Sequence, residues 1–431
     1  MTLTSARAAA PVLALTVGAL GLRVIQLDRL PLWLDEGISL LLVTNRSFSD
    51  WRADVHPPLY YALLLPWAQL STSDVWLRLL SAVLGALTVP AVYALGARLL
   101  GRASGLWAAA FLTVTWFHVW YSREARMYPL LVLAFTLALW GLVAGARDGR
   151  VAGWVVHVLG GAMLAWSHGI GVCYVAVLAV VGLTISREDG HRWSWRPWLV
   201  ANTAIVLLFA PWAPVVAKNV PEVSTSFWLR SIAPEPPVLT TIHQFTVAPI
   251  HPPGLLLRSR LGLDVSPTLG DGLWIVPILG VLALAVALSA RDRRPTVRFL
   301  LLAYLAPIGL FTALSLMVRP ILIPRILLPV VVPLVLLLAA GVGAVPWRRV
   351  RVATGTLIGL VLLMGTAYGL HRDAGETEGW REASRYLQAE ARPGDALLFL
   401  SSQLTRPRES AKARALATTE MLLLRYDDTG R

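Results

Sequence analysis

Long apolar runs recur along most of this chain, and their length is the first thing any fold must satisfy. A hydrocarbon core of about 30 Å takes roughly 20 apolar residues in helical form. Runs that reach or approach that length lie at 9–27, 76–98, 104–121, 128–146, 151–166, 169–186, 198–216, 272–290, 297–317, 323–345 and 351–370. Over 431 residues, 56% are hydrophobic, only 15% are charged and the mean hydropathy is +0.63, a balance that excludes an ordinary soluble domain. The pattern predicts an all-α polytopic membrane protein with about eleven transmembrane helices, in a range of about ten to thirteen. No small-residue cleavage pattern follows the first run, so it reads as a retained helix in preference to a signal peptide.

Arginine placement orients these spans. Arg98 and Arg102, Arg147 and Arg150, then Arg187, Arg192 and Arg196, then Arg291, Arg293, Arg294 and Arg298, and finally Arg348, Arg349 and Arg351 all fall on one side, together with Arg7. The positive-inside rule makes that side the cytoplasm, with the N-terminus inside and the tail outside. Residues 57–70 are apolar but short and interrupted by Pro66, and counting them as a crossing would invert every later cluster. They therefore read as an interfacial helix in the first external loop, with Tyr60, Tyr61 and Trp67 at headgroup depth.

Three regions follow from this topology. Residues 1–216 form a transmembrane module with the external loop 28–75; 217–370 hold a proline-rich external loop and the later spans; 371–431 form a short external segment resembling an incomplete α/β domain. In that last segment 380–387 reads as an amphipathic helix, Pro393–Gly394 as a turn and 396–400 as a strand. The formal charge of +13 follows the membrane topology and comes with no nucleic-acid recognition motif, so no nucleic-acid partner is expected. Cys173 is the sole cysteine and lies in an apolar run, which leaves it a packing role. High proline and arginine with little lysine fits a bacterial chromosome rich in G and C, and with it a bacterial plasma membrane.

The candidate chemistry lies on the external side. Asp35 and Glu36 are adjacent just past the first span, so on a helix their side chains diverge by about 100° and cannot act as an equivalent pair. One can face a substrate while the other caps a helix or binds a cation; two solvated loop acids is the plainer alternative. After the third span comes a cluster holding Arg123, Glu124 and Arg126, followed by Tyr128. Arginine forks suit phosphate oxygens, and Glu124 can orient an arginine or reach a cation, although anchoring to lipid headgroups is the simpler reading. His168 and Arg325 fall at the same depth, and Arg325 is costly near hydrocarbon unless it meets an anion or snorkels. His56 can orient an acid, contact a phosphate or pack beside Pro57, while His243 and His251 are weaker candidates without zinc-site spacing. Together these groups outline a site for a lipid-linked phosphate substrate. Asp35, ionised at neutral pH, is the first choice for a general base toward an acceptor hydroxyl, with Glu36 and Glu124 as alternatives.

The D-E pair at 35–36, H-P-P-L-Y-Y at 56–61, R-L-L-S-A-V-L-G-A-L-T-V-P-A-V-Y at 78–93, F-H-V-W-Y-S-R-E-A-R-M-Y at 117–128 and P-R-I-L-L-P at 324–329 resemble the GT-C membrane glycosyltransferases. The similarity is to bacterial members related to protein O-mannosyltransferases, aminoarabinose transferases and rhizobial lipopolysaccharide-core transferases. It covers 30–130 strongly and 130–400 more loosely. The resemblance implies a GT-C fold and an inverting transfer from a polyprenyl-phosphate sugar outside the cytoplasm. It assigns Asp35 as base, Glu124 to metal or acceptor binding, and Arg123, Arg126 and Arg325 to the phosphate. His56, Tyr60, Tyr128 and His168 are further substrate contacts. It establishes no cofactor, and a divalent cation, Mg²⁺ or Mn²⁺, on Glu124 with Asp35 or Glu36 is compatible with it. Where the family more often has R-Y, this chain has Arg325-Ile326, which removes a tyrosine contact. The expected partners are a lipid-linked sugar donor, a glycan, lipid or protein acceptor and membrane lipids, with the chain a monomer or weak oligomer. A lipid-linked sugar transporter or a noncatalytic scaffold would share the helices, but a transporter should show helical repeats and polar groups at mid-membrane depth, and neither is evident.

Overall fold

A computed structural model describes residues 3–45, 48–54, 56–185, 195–226, 294–317, 321–372 and 380–390. Every regular element among them is helical. Six helices are long and apolar enough to cross a membrane: Asp74–Leu100, Tyr128–Asp148, Trp195–Asn219, Arg294–Met317, Pro324–Ala344 and Arg348–His371. Shorter apolar helices occupy Ala9–Val24, Leu59–Ala68, Val151–Ser167 and Gly171–Gly182. Every expected span that falls on described residues is helical, while the run at 272–290, the proline-rich stretch after 226, His243, His251 and the turn and strand expected after 391 lie outside them.

In chain order the N-terminal half comprises α1 (Leu3–Val24), α2 (Leu34–Thr44), α3 (Phe48–Ala53), α4 (Leu59–Ala68), α5 (Asp74–Leu100), α6 (Arg102–Thr113), α7 (Trp116–Tyr121), α8 (Tyr128–Asp148), α9 (Val151–Ser167) and α10 (Gly171–Gly182). Then come α11 (Trp195–Phe209), α12 (Ala213–Ser226), α13 (Arg294–Met317), a 3-10 turn at Pro324–Val330, α14 (Val331–Ala344), α15 (Arg348–Arg372) and the tail helix α16 (Trp380–Glu390). The loop between α1 and α5 thus carries three helices, α2 to α4, where the sequence indicates only the last. The most deeply buried spans are α8 and α14, around which the others pack. Arg98 and Arg150 both meet Asp148, which brings two of the arginine clusters together at one end of the bundle.

The run at 104–121 departs from a single helix. Thr113 and Thr115 each turn a hydroxyl back to a carbonyl four residues earlier, Ala109 O at 2.9 Å and Phe111 O at 2.7 Å, a pairing that bends helices. The chain breaks between α6 and α7, and carbonyls freed at the break are taken up from other helices. Arg23 of α1 donates toward Thr113 O at 3.5 Å and Thr366 of α15 donates to Val114 O at 2.7 Å. Arg23 is fully buried and also meets His118 Nδ1 at 2.7 Å. A guanidinium only donates, so Nδ1 accepts and the neutral ring of His118 carries its proton on Nε2.

Helices α8 and α9 approach closely because small residues face each other. A Cβ on Gly141 would lie 2.3 Å from the backbone N of His157, one on Gly153 2.4 Å from that of Gly145, and one on Gly160 2.5 Å from that of Ala138. Lipid-embedded helices gain association from such close packing, since lipid tails offer no hydrophobic preference. Replacing Gly153 with valine should force the pair apart at a cost of about 1–3 kcal/mol or more. The thermal midpoint of the solubilised protein should fall, whereas Gly309→Ala, whose added carbon meets nothing within 4 Å, should leave it unchanged.

Candidate active site

The acids of the first loop occupy the first turn of α2, and their adjacency sends them in opposite directions. Trp33 precedes the helix in extended conformation, and Glu36 reaches back so that Oε2 accepts the Trp33 N–H at 3.2 Å. Glu36 is fully buried, while the Asp35 side chain remains 24% exposed. Inside, Glu36 meets Arg78 of α5 in a bidentate ion pair: Nε donates to Oε1 at 2.7 Å and Nη2 to Oε2 at 2.5 Å. The other N–H groups of Arg78 donate to Leu27 O at 2.9 Å, Leu30 O at 2.7 Å and Pro31 O at 2.9 Å. Glu36 Oε1 also accepts the Ala125 N–H at 2.7 Å. One carboxylate thus ties together α2, α5 and the 122–127 turn.

Asp35 faces the opposite way. Its Oδ2 lies 3.7 Å from Arg325 Nη1, whose guanidinium stands over the Trp33 ring at 5.7 Å. The Arg325 side chain is 21% exposed, so both partners remain open to a ligand. Arg126 supports Asp35 from below: Nη1 donates to Asp35 O at 3.0 Å, Ser39 Oγ at 3.2 Å and Tyr61 Oη at 3.3 Å. Tyr61 in turn donates to Asp54 Oδ2 at 2.6 Å. Glu124 lies within electrostatic reach of Asp35, Glu36, Arg126 and Arg325, and its buried Oε2 has no hydrogen-bond partner. Burial above all, and then the charge of Glu36, push the Glu124 carboxyl up to about 8, against the opposing pull of Arg325. At neutral pH the Glu124 carboxyl is therefore mostly protonated.

Two histidines complete the polar lining. The ring centres of His56 and His168 are 4.2 Å apart, and that of Tyr128 lies 6.0 Å from His168 in a tilted arrangement. Burial, with Arg126 and Arg325 nearby, holds both imidazoles well below their usual titration range, so both are neutral. His168 Nδ1 accepts the Ile170 N–H at 3.2 Å, which puts the ring proton on Nε2. Tyr60 is fully buried and bonds Ser81 at 2.8 Å, whose hydroxyl donates to Arg126 O at 3.0 Å. Arg123 points away from Asp35 and donates to Gln26 O at 3.2 Å, where Gln26 takes a left-handed φ of 54° as the chain leaves α1.

The structure therefore brings Asp35, Glu124, Arg126, Arg325, His56, His168 and Tyr128 to one end of the bundle, opposite the paired Arg98 and Asp148. It gives Glu36, Tyr60 and Arg123 supporting positions behind them. Arg78, Ser39, Asp54 and Ser81 are not singled out in the sequence, and Tyr61, read there as a headgroup-depth ring, instead bonds Arg126 and Asp54. Arg78 had a signal, an arginine early in an otherwise apolar span, but its partner is 42 residues away. Among the described residues no three potential metal ligands come together. Both oxygens of Glu36 are engaged, which leaves Asp35 and Glu124 as the available carboxylates. A divalent cation between those two would need water or phosphate oxygens for its remaining positions.

Residues 55–216 match the family model described as dolichyl-phosphate-mannose-protein mannosyltransferase. No curated protein matches the sequence. Among solved structures, ArnT from Cupriavidus metallidurans bound to undecaprenyl phosphate is similar with a TM-score of 0.55 at 16% identity, over 96% of this chain and 70% of that one. The apo state of ArnT gives 0.57 at 16% identity over 98% and 78% of the two chains. The archaeal oligosaccharyltransferase AglB from Archaeoglobus fulgidus, in complex with an inhibitory peptide and a dolichol-phosphate, gives 0.52 at 12% identity over 95% of this chain and 62% of that one. At these identities the likeness is one of fold, and the chain shares that of ArnT and AglB.

Removing one partner of the buried Glu36–Arg78 pair should cost about 3–5 kcal/mol, because the other charge stays buried. Arg78→Met should therefore lower the thermal midpoint of the solubilised chain sharply, while Asp35→Asn, at an accessible position, should move it little. Glu124 gives a pH signature. Its folded carboxyl titrates near 8 and its unfolded one near 4.5, so the folded state binds more protons between those values and stability falls as pH rises through that window. Glu124→Gln should flatten the midpoint-against-pH curve between about 5 and 8.

Proposed function

We propose, for a chain that carries the GT-C fold of polytopic membrane glycosyltransferases, that it transfers a sugar from a polyprenyl-phosphate donor to an acceptor hydroxyl on the outer face of the membrane. The observation that carries this reading is the Asp35–Arg325 pair: an accessible carboxylate facing an accessible arginine, mounted on a neighbouring acid that is fully locked. The GT-C fold itself, and lipid phosphates bound to ArnT and AglB, favour a lipid-linked donor.

The chemistry follows from the charges. The donor phosphate takes Arg325 as its counter-ion in competition with Asp35, with Arg126 adding positive charge beneath. Asp35, released from that contact, accepts the proton of the acceptor hydroxyl as its oxygen bonds to the anomeric carbon. The bond from that carbon to the phosphate oxygen breaks, the electron pair leaves with the lipid phosphate, and the configuration inverts. Phosphate carries the charge without an added proton, so the arginines do most of the stabilisation. Protonated Glu124 donates a hydrogen bond toward the same phosphate, and the neutral His168 Nε2–H offers a second donor at that end. The transmembrane module 1–216 holds Asp35 and Glu124, Arg325 arrives from the later spans, and the site faces outward from a bacterial plasma membrane. Acceptors are a glycan, a lipid or a protein.

Incubating the purified chain with defined polyprenyl-phosphate sugars and identifying products by mass spectrometry tests this directly. Asp35→Asn should lower kcat by about 10³-fold with little change in donor KM. Arg325→Ala should raise donor KM about tenfold or more, with Arg325→Lys recovering part of the loss. Full activity in Asp35→Asn, or no transfer from any lipid-linked donor, sinks the proposal.

A further inference from the structure

The segment that leads from α1 into α2 is held in an unusual way. Six successive backbone carbonyls, from Gln26 to Pro31, each accept a hydrogen bond from an arginine. Arg123 takes Gln26 O, and Arg78 takes the carbonyls of Leu27, Leu30 and Pro31. The remaining bonds come from Arg381 in the tail helix α16, beyond the last span. Its Nη1 donates to Asp28 O at 2.8 Å and to Arg29 O at 3.1 Å, and its Nη2 lies 3.4 Å from Leu30 O and 3.1 Å from Asp74 Oδ2 at the start of α5. Gln26 enters this segment with a left-handed φ of 54°, a conformation that L-residues other than glycine adopt at a cost.

Guanidinium groups that each take several backbone carbonyls leave the segment little freedom, so these arginines fix the path of residues 26–31. That path ends four residues before Asp35. Arg78 grips it from inside and simultaneously fixes Glu36, whereas Arg381 grips it from outside and belongs to a separate segment. We infer that Arg381 is a positioning residue for the transfer reaction: by holding carbonyls 28–30 it fixes the approach to α2, and with it the placement of Asp35 against Arg325. The external tail is thereby coupled to the catalytic loop, and any movement of α16 reaches the base through this strap. The inference rests on the reaction proposed above.

The experiment pairs kinetics with hydrogen–deuterium exchange on the full solubilised chain. Arg381→Ala should lower kcat roughly 10- to 100-fold with donor KM within about twofold, because a displaced base slows the chemistry and leaves phosphate binding intact. Exchange should rise across 27–37 while α8 and α9 keep their protection. Asp74→Asn removes the ion pair but keeps the carbonyl bonds, so its kcat should stay within about twofold of the unmodified chain, and Arg381→Lys, with charge but no fork, should fall between. An unchanged kcat in Arg381→Ala, a rise in exchange spread over the spans, or a loss in Asp74→Asn equal to that of Arg381→Ala each overturns the inference. If the unmodified chain transfers no sugar from any lipid-linked donor, the reaction itself fails. Unchanged exchange at 27–37 in Arg381→Ala then separately removes the strap.

Discussion

The bidentate pair between Glu36 and Arg78 is the contact on which the outer end of the molecule depends. Both groups are buried, and a buried charge is tolerated only when its partner and its remaining hydrogen-bond positions are filled. Here they are filled by backbone: Trp33 and Ala125 donate to the carboxylate, and Leu27, Leu30 and Pro31 accept from the guanidinium. The penalty of desolvating two ions is thereby converted into geometric definition. Three elements far apart in sequence cannot shift relative to one another without exposing a charge to a dry interior.

That fixed acid makes its neighbour usable. A helix places consecutive side chains about 100° apart, so burying Glu36 obliges Asp35 to turn outward. Asp35 then meets Arg325, which comes from the beginning of a late span and leans over Trp33. The same outer end holds a third carboxyl, Glu124, whose burial among two other acids favours its neutral form. Three acids in one neighbourhood thus acquire three settings: Glu36 locked in a buried ion pair, Asp35 accessible beside Arg325, and Glu124 buried and protonated.

Much of this organisation was legible in the sequence. Apolar length marks the spans, because hydrocarbon thickness sets it directly. The proline-interrupted stretch at 57–70 reads as a short external helix, and α4 occupies it. The amphipathic pattern after Trp380 reads as a helix, and α16 forms there. The break at 114–115 was not legible, since an apolar run gives no sign that two threonines will bend back to carbonyls and that Arg23 and Thr366 will take up the freed ends. Nor was the turning of Arg123 toward Gln26, because two arginines three residues apart look alike until their surroundings are known.

The sequence by itself determined a multi-pass helical membrane protein, the acids, arginines and histidines available in its loops, and the divergence of two adjacent acids, all of which follow from local periodicity and solvation. Only the tertiary structure decided which acid is buried in the Arg78 pair and which stands accessible beside Arg325. That choice belongs to Arg78, Arg325 and Ala125, which lie 42, 290 and 89 positions from their partners, and no local rule relates residues at such separations.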